Sequence, residues 1–219
     1  MDRRRLLTLS ATAAAGVALG GCRGGTGRST GSPSVSPSSR SSASAKASVL
    51  VAYFSRAGEN YSYGDRVWLE TGNTEVAVRM IADTIDCDVH RIEAADPYPR
   101  EYDPTVARNS REQDDDARPE MAGASPDLTG YDVVILASPI WGSRAPMIMS
   151  TFTEALDFTG KTVHPFTTHA MSGLGSTERD YAETCRGAEF GEGLAVQGET
   201  VRDARPEIED WLKQAGLMS

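Results

Sequence analysis

Hydrophobic residues run almost unbroken through "SVLVAYF" (48–54) and "YDVVILAS" (131–138), as they do in strands covered on both faces. "DVHRIE" (88–93) alternates and predicts an edge strand. "KTVHPFTTH" (161–169) predicts another strand, with Pro165 awkward in a central position. "AEFGEGLAVQG" (188–198) contains the last. Between these segments the period changes. Residues 73–86 carry Val76, Met80, Ile81 and Ile85 at helical spacing, and "APMIMSTFTEALDF" (145–158) predicts a helix with Pro146 in its first turn, where the missing N–H costs nothing. "STERDYAETCR" (176–186) predicts a helix opened by Ser176 or Thr177, and "ARPEIEDWLKQAGL" (204–217) a closing helix with Trp211 and Leu212 on its buried face. Residues 96–120 are polar and proline-rich at their start, and predict surface loop with a short helix inside it. Alternating strands and helices with apolar central strands define an α/β fold: a doubly wound, five-stranded parallel sheet in the order 2-1-3-4-5. That order keeps Cys87 and Cys185 apart, so both are expected as buried thiols rather than a disulfide.

The first 46 residues follow neither period. "MDRRR" is basic, "LLTLSATAAAGVAL" is apolar and "LGGC" follows. The apolar run is shorter than the roughly 20 residues of a membrane span, so residues 1–22 read as a signal peptide. The small residues before Cys22 resemble a bacterial lipobox, which makes Cys22 the lipidated first residue of the mature protein. An ordinary signal peptide with an incidental cysteine is the plainer alternative. Arg3, Arg4 and Arg5 also resemble a twin-arginine signal, with Asp2 ahead of them and Thr8 where lysine is common as departures. Residues 23–47 are rich in Gly, Ser and Pro and have too little apolar area to offset ordering. They predict a disordered tether with an r.m.s. span of roughly 25–30 Å. The folded domain is then 48–219, on an exported lipoprotein at the extracytoplasmic face of the cell membrane.

Charge sharpens this division. The chain has 22 basic and 31 acidic residues, a formal net charge of −9. Seven of the basic residues and one acid fall within residues 1–46, so the remainder carries 15 and 30, a net −15. Such a body repels nucleic acid and anionic lipid and attracts basic partners. The run Asp114, Asp115, Asp116 lacks the glycine and ligand spacing of a calcium loop and reads as solvated. No metal-ligand cluster and no Ser–His–Asp arrangement emerges, and no residue is assigned a catalytic role.

In a doubly wound sheet, ligands bind beyond the carboxyl ends of the strands, near the switch point between the first and third. Three polar, glycine-containing loops leave the central strands there. The first runs from Ser55 to "ETGNTE", the second is "SPIWGSRAP" and the third "HAMSGLGS". "ETGNTE" opens the first helix with Thr71, Gly72, Asn73 and Thr74 and contains neither Lys nor Arg. A helix start offers unpaired N–H groups and the positive end of the helix dipole, which bind phosphate without a basic side chain. The hydroxyls of Ser55, Thr71 and Thr74 and the amide of Asn73 add donors, and Gly72 permits close approach. Plain capping of the helix by Thr71 or Asn73 is the structural alternative.

The segments "VLVAYFSRAGEN", "ETGNTE", "SPIWGSRAP" and "THAMSGLGS", in this order, resemble the flavodoxin family, and most of all its bacterial branch with an extended first loop. The resemblance covers about residues 48–217. It implies noncovalent FMN, with Ser55, Arg56, Thr71, Gly72, Asn73 and Thr74 around the phosphate. Pro139, Ile140, Trp141 and Gly142 would flank the isoalloxazine, with Trp141 the stacking ring. His169, Ala170, Ser172, Gly173 and Gly175 would form the third flavin loop, mostly through backbone groups. The departures are specific. About fifteen residues separate Ser55 from Thr71, where the commonest loop is short, and the inserted segment 59–70 is expected to cover the phosphate or form a lid. Gly142 stands where many relatives have a second Trp, and Ala170 and Met171 where glycine is frequent. His164, Met147 and Met149 read as structural, and a proton relay through His169 is the lesser alternative to a strand cap.

The expected function is therefore that of a tethered FMN-binding electron-transfer protein, serving a redox partner protein or a small-molecule acceptor. The alternative is an FMN-dependent oxidoreductase that takes hydride from NAD(P)H and reduces quinones or similar acceptors. That activity needs an open flavin face, which Gly142 permits, although the chain has no separate dinucleotide fingerprint. A flavin-free binding domain is the third expectation.

Overall fold

A computed structural model of the chain describes residues 47–218; the expected signal segment with Cys22, and the tether up to residue 46, lie outside them. Strand β1 (Val49–Tyr53) leads into a hairpin of β2 (Gly58–Ser62) and β3 (Asp65–Leu69), followed by helix α1 (Asn73–Thr84), β4 (Asp88–Arg91) and α2 (Tyr102–Asp114). Then come β5 (Val133–Pro139), α3 (Met147–Glu154), β6 (Thr162–His169), α4 (Thr177–Thr184), β7 (Glu189–Phe190) and β8 (Leu194–Gln197). A 3₁₀ turn (Gly198–Asp203) and α5 (Arg205–Gln214) close the chain.

The main sheet runs β4-β1-β5-β6, all parallel, and β7 and β8 both pair in parallel with the far side of β6. The order is the expected 2-1-3-4-5, with six strands instead of five because the last position is broken in two. The break answers the difficulty with Pro165. Gly191 N–H donates to Val163 O, so every second residue of β6, Pro165 among them, turns its backbone groups toward this edge. Pro165 has no N–H to give, and the edge strand is interrupted beside it. There Glu192 O meets His164 Nδ1 at 3.0 Å. A Cβ on Gly191 would lie 2.1 Å from the His164 ring, so only glycine lets the ring sit there.

Both faces of the sheet are covered, which is why β1 is buried at every position. Val49, Val51 and Tyr53 join a layer with Val78 and Ile81 of α1 and Ile208, Trp211 and Leu212 of α5. Leu50 and Ala52 join the opposite layer, with Ile148, Met149 and Phe152 of α3 and Tyr181 of α4. Met147 and Met149 are fully buried filling of this core. Cys185 is buried in the second layer as expected, whereas Cys87, expected buried, is only half-buried at the border of the first, and the sheet stands between them.

Two expectations need correction. The helix foreseen over 145–158 spans only Met147–Glu154, and Pro146 is its N-cap residue, not part of its first turn. Residues 96–120 hold a full 13-residue helix, α2, whose buried residues are Thr105, Asn109 and Glu112, so no apolar stripe announces it. The inserted loop is a regular hairpin. Tyr63 and Gly64 at its tip have φ of 48° and 92°, the left-handed pair of a type I′ turn.

Candidate functional site

Beyond the carboxyl ends of β1, β5 and β6, the three loops converge on one cavity of about 460 Å³, within the range of small-molecule sites. Ser55 and Arg56 line it after β1, and Asn73 and Thr74 from the first turn of α1. Pro139, Ile140, Trp141 and Gly142 contribute from β5 and its loop, and Thr168, His169, Ala170, Met171 and Ser172 from β6 and its loop. Thr71, Gly72, Gly173 and Gly175 do not line the wall. Thr71 is half-buried in the turn beside it. Gly173 O accepts from Thr167 Oγ1 at 3.0 Å, and a Cβ on Gly175 would lie 2.3 Å from Ser143 O, so these glycines shape the third loop from behind.

Gly72 is the N-cap residue of α1, and neither Thr71 nor Asn73 caps the helix through its side chain. Instead Ser55 Oγ reaches across from β1 and accepts Glu75 N–H at 3.1 Å. That leaves the N–H groups of Asn73 and Thr74 without a protein acceptor among the described residues. Two side chains expected around an anion are partly committed elsewhere. Thr74 Oγ1 pairs with Thr168 Oγ1 at 2.7 Å. The Arg56 guanidinium donates to Pro99 O and Arg100 O, both at 3.0 Å, and to Glu59 O, tying the loop before α2 to the hairpin. Of its three nitrogens, only Nε has no partner. Burial lowers the Arg56 pKa from its ordinary value, and the nearby Glu59 and Glu101 act against that.

Among the described residues, four buried side-chain atoms lack a partner: Arg56 Nε, Thr151 Oγ1, His169 Nδ1 and Glu199 Oε2. All but Thr151 belong to residues lining this cavity. A buried polar group left unpaired costs about 1–3 kcal/mol, and more when charged. Such groups gathered in one cavity fit a polar ligand that supplies the missing partners. Arg56 Nε–H and the two free N–H groups of α1 suit an anion.

The aromatic wall is braced from behind. The Trp141 ring meets Phe54 edge to face at 5.5 Å and Tyr98 at 5.1 Å, and its carbonyl accepts Gln113 Nε2 at 3.0 Å. Trp141 is thus a half-buried member of an aromatic cluster, and what remains of its surface faces the cavity. Tyr98 donates its hydroxyl to Glu112 Oε2 at 2.7 Å, and Arg108 Nε holds the other oxygen of that carboxylate at 2.6 Å. Burial, aided by Glu112, pushes the Tyr98 phenol far above its ordinary range, so it stays a hydrogen-bond donor. The next position is open. Gly142 has φ 73°, and a Cβ there would meet nothing within 4 Å.

The rest of the wall comes from elements that the hydrophobic pattern did not reveal. The polar face of α2 brings Tyr102, Thr105, Asn109 and Gln113, the hairpin brings Asn60 and Tyr61, and the 3₁₀ turn brings Gly198 and Glu199. The available signals were the i,i+4 pairs Arg108–Glu112 and Asn109–Gln113 along α2. The hairpin is fastened along its length. Glu59 N–H donates to Arg100 O at 2.7 Å, Glu59 Oε2 accepts Tyr102 N–H at 2.9 Å, and Arg66 grips Asp103 at 3.0 and 2.6 Å. At its tip, Tyr63 N–H donates to Glu199 Oε1 at 3.2 Å. Among the described residues, no three His, Cys, Asp or Glu side chains gather as metal ligands.

A family model described as Flavodoxin matches residues 48–215. Among solved structures, a protein assigned as a flavoprotein from Bacteroides eggerthii is 28% identical, over 78% of this chain and 98% of its own, with a TM-score of 0.63. Its counterpart from Bacteroides uniformis is also 28% identical, over 77% and 99%, with a TM-score of 0.61. A flavoprotein from Lactobacillus acidophilus, solved in complex with FMN, is 14% identical over 72% and 97%, with a TM-score of 0.51, a likeness of fold. No curated protein matches the sequence.

Proposed function

This chain belongs to the flavodoxin family, and from that premise we propose that it is an FMN-binding electron-transfer protein, held at the outer face of the cytoplasmic membrane by a lipid on Cys22. The observation that carries the reading is the cavity itself. Three loops from one rim of the sheet meet there around most of the unpartnered buried polar atoms of the described chain. The order basic, apolar, then "LGGC" in residues 1–22 supports the anchor.

FMN is the cofactor, and when bound it supplies one- and two-electron chemistry. The free N–H groups of Asn73 and Thr74, at the positive end of α1, would hold its phosphate, with the Arg56 Nε–H as a charged donor. Ser55 keeps the first turn of α1 in place from below. Trp141, held in place by Phe54 and Tyr98, would shield the bound ring from water. The loop from His169 to Ser172 lines the cavity, and its backbone groups and the unpartnered His169 Nδ1 would offer hydrogen bonds to the bound cofactor.

The visible spectrum of the purified chain, before and after FMN is added, tests the reading. Flavin bands that saturate at one FMN per chain are expected. A colourless protein that FMN titration leaves unchanged would mark a flavin-free binding domain. One observation favours a second reading, an FMN-dependent NAD(P)H oxidoreductase: the open space at Gly142 leaves room for a substrate beside Trp141. Rapid bleaching on stopped-flow mixing with NADH or NADPH, with no partner reductase present, would establish that reading over the first.

A further inference from the structure

We propose that Glu199 is the ligand-specificity residue of this cavity, accepting hydrogen bonds from ligand hydroxyl groups, and that it couples their seating to the tip of the β2–β3 hairpin. Under the FMN reading, on which this inference rests, those hydroxyls are the ribityl chain.

Glu199 follows directly on Gly198, which is pressed between the two halves of the site. A Cβ on Gly198 would lie 2.6 Å from Asn73 Nδ2 and 3.6 Å from His169 O. Glu199 therefore leaves the backbone where the first turn of α1 meets the loop after β6. Its two oxygens have different fates: Oε1 accepts Tyr63 N–H at 3.2 Å, and Oε2 is buried with no partner. A carboxylate beside a helix start that receives an anion repels that anion, so it does not serve the phosphate. A buried acceptor without a donor is costly, and a ligand hydroxyl reaching Oε2 relieves that cost. A ligand with an anionic end and hydroxyl donors next to it, a polyol phosphate, satisfies both neighbours at once. Because the same carboxylate holds the hairpin tip, filling Oε2 fixes the side chain that Tyr63 is bonded to.

The test compares three flavins on the full chain and its E199A and E199Q variants, with affinities read from flavin fluorescence. Riboflavin lacks only the phosphate of FMN, and lumiflavin lacks the phosphate and the hydroxyls. E199A is expected to weaken FMN and riboflavin about ten- to hundredfold and to leave lumiflavin within about twofold. E199Q keeps an acceptor oxygen and should lose less, and it carries the test if E199A does not fold. Amide exchange at Tyr63 should slow on FMN binding in the unmodified chain and not in E199A. Equal weakening of all three flavins, or none, overturns the inference while leaving FMN binding intact. An unmodified chain that binds none of the three overturns the FMN reading itself.

Discussion

Gly72 is drawn so close to the strand end that a methyl group has no place. A Cβ there would lie 2.4 Å from Ser55 Oγ and 2.5 Å from Arg56 O, the second a backbone atom that cannot swing away. G72A is therefore expected to destabilise the fold by about 1–3 kcal/mol and to weaken FMN more than lumiflavin, since the displaced turn is the one that offers N–H groups to phosphate. Urea unfolding and flavin titration measure the two effects. This position was legible in the sequence as a small residue at a helix start. Arg56 was not legible in the same way, because nothing local says that its guanidinium spends itself on the carbonyls of Pro99, Arg100 and Glu59, two of them more than forty positions away. Cys185 yields a second expectation. Burial raises its thiol pKa to about 12, so at pH 8 its thiolate fraction is about a thousandfold below that of an ordinary thiol. Alkylation followed by peptide mapping should find it inert in the folded chain and reactive in urea.

At the scale of elements, the sequence displayed whatever was apolar and hid whatever was polar. β1 and β5 were visible because both of their faces are buried, and α1 because Val76, Met80, Ile81 and Ile85 recur at helical spacing, although Val76 and Met80 are only half-buried and Ala77 and Val78 complete the inner face. Helix α2 was legible only as a short helix because its buried positions, Thr105, Asn109 and Glu112, are polar, and the hairpin was hidden because β3 is exposed along almost all its length. The elements least legible are thus the ones that close the site. The hairpin is bonded to the first turn of α2 and to Glu199 and adds no strand to the main sheet. Replacing residues 59–70 by a short Gly/Ser linker should then leave the sheet folded, with little change in far-UV circular dichroism. Arg56 loses its Glu59 acceptor, and the flavin becomes accessible. FMN affinity is expected to fall at least tenfold, and iodide quenching of bound flavin to rise. A variant that binds FMN as tightly and shields it as well would show that the hairpin has no part in the cavity.

For the whole molecule, the order of the main sheet followed from the alternation of strands and helices, but its broken edge beside Pro165 did not, because a break set by one missing N–H leaves no periodic trace. Two properties belong to the chain as a unit. If Arg3, Arg4 and Arg5 direct export of a folded, cofactor-loaded body, replacing all three by lysine should abolish export of the FMN-bound form, with the holoprotein retained in the cytoplasm; unimpaired export would remove that route. The second property is charge. Residues 47–219 carry a net −15, so an electron added to a flavin bound in the cavity would meet a field that opposes it. One carboxylate about 10 Å away through solvent costs an added electron about 0.4 kcal/mol, and a general surplus multiplies this, within a screening length of about 10 Å at 0.1 M salt. The bound flavin should therefore have a potential below that of free FMN, rising toward it as salt is added. Spectroelectrochemical titration at low and high salt checks both the sign and the slope. A potential above free FMN, or one indifferent to salt, would mean that contacts inside the cavity, and not the acidic body, set the electron affinity of the site.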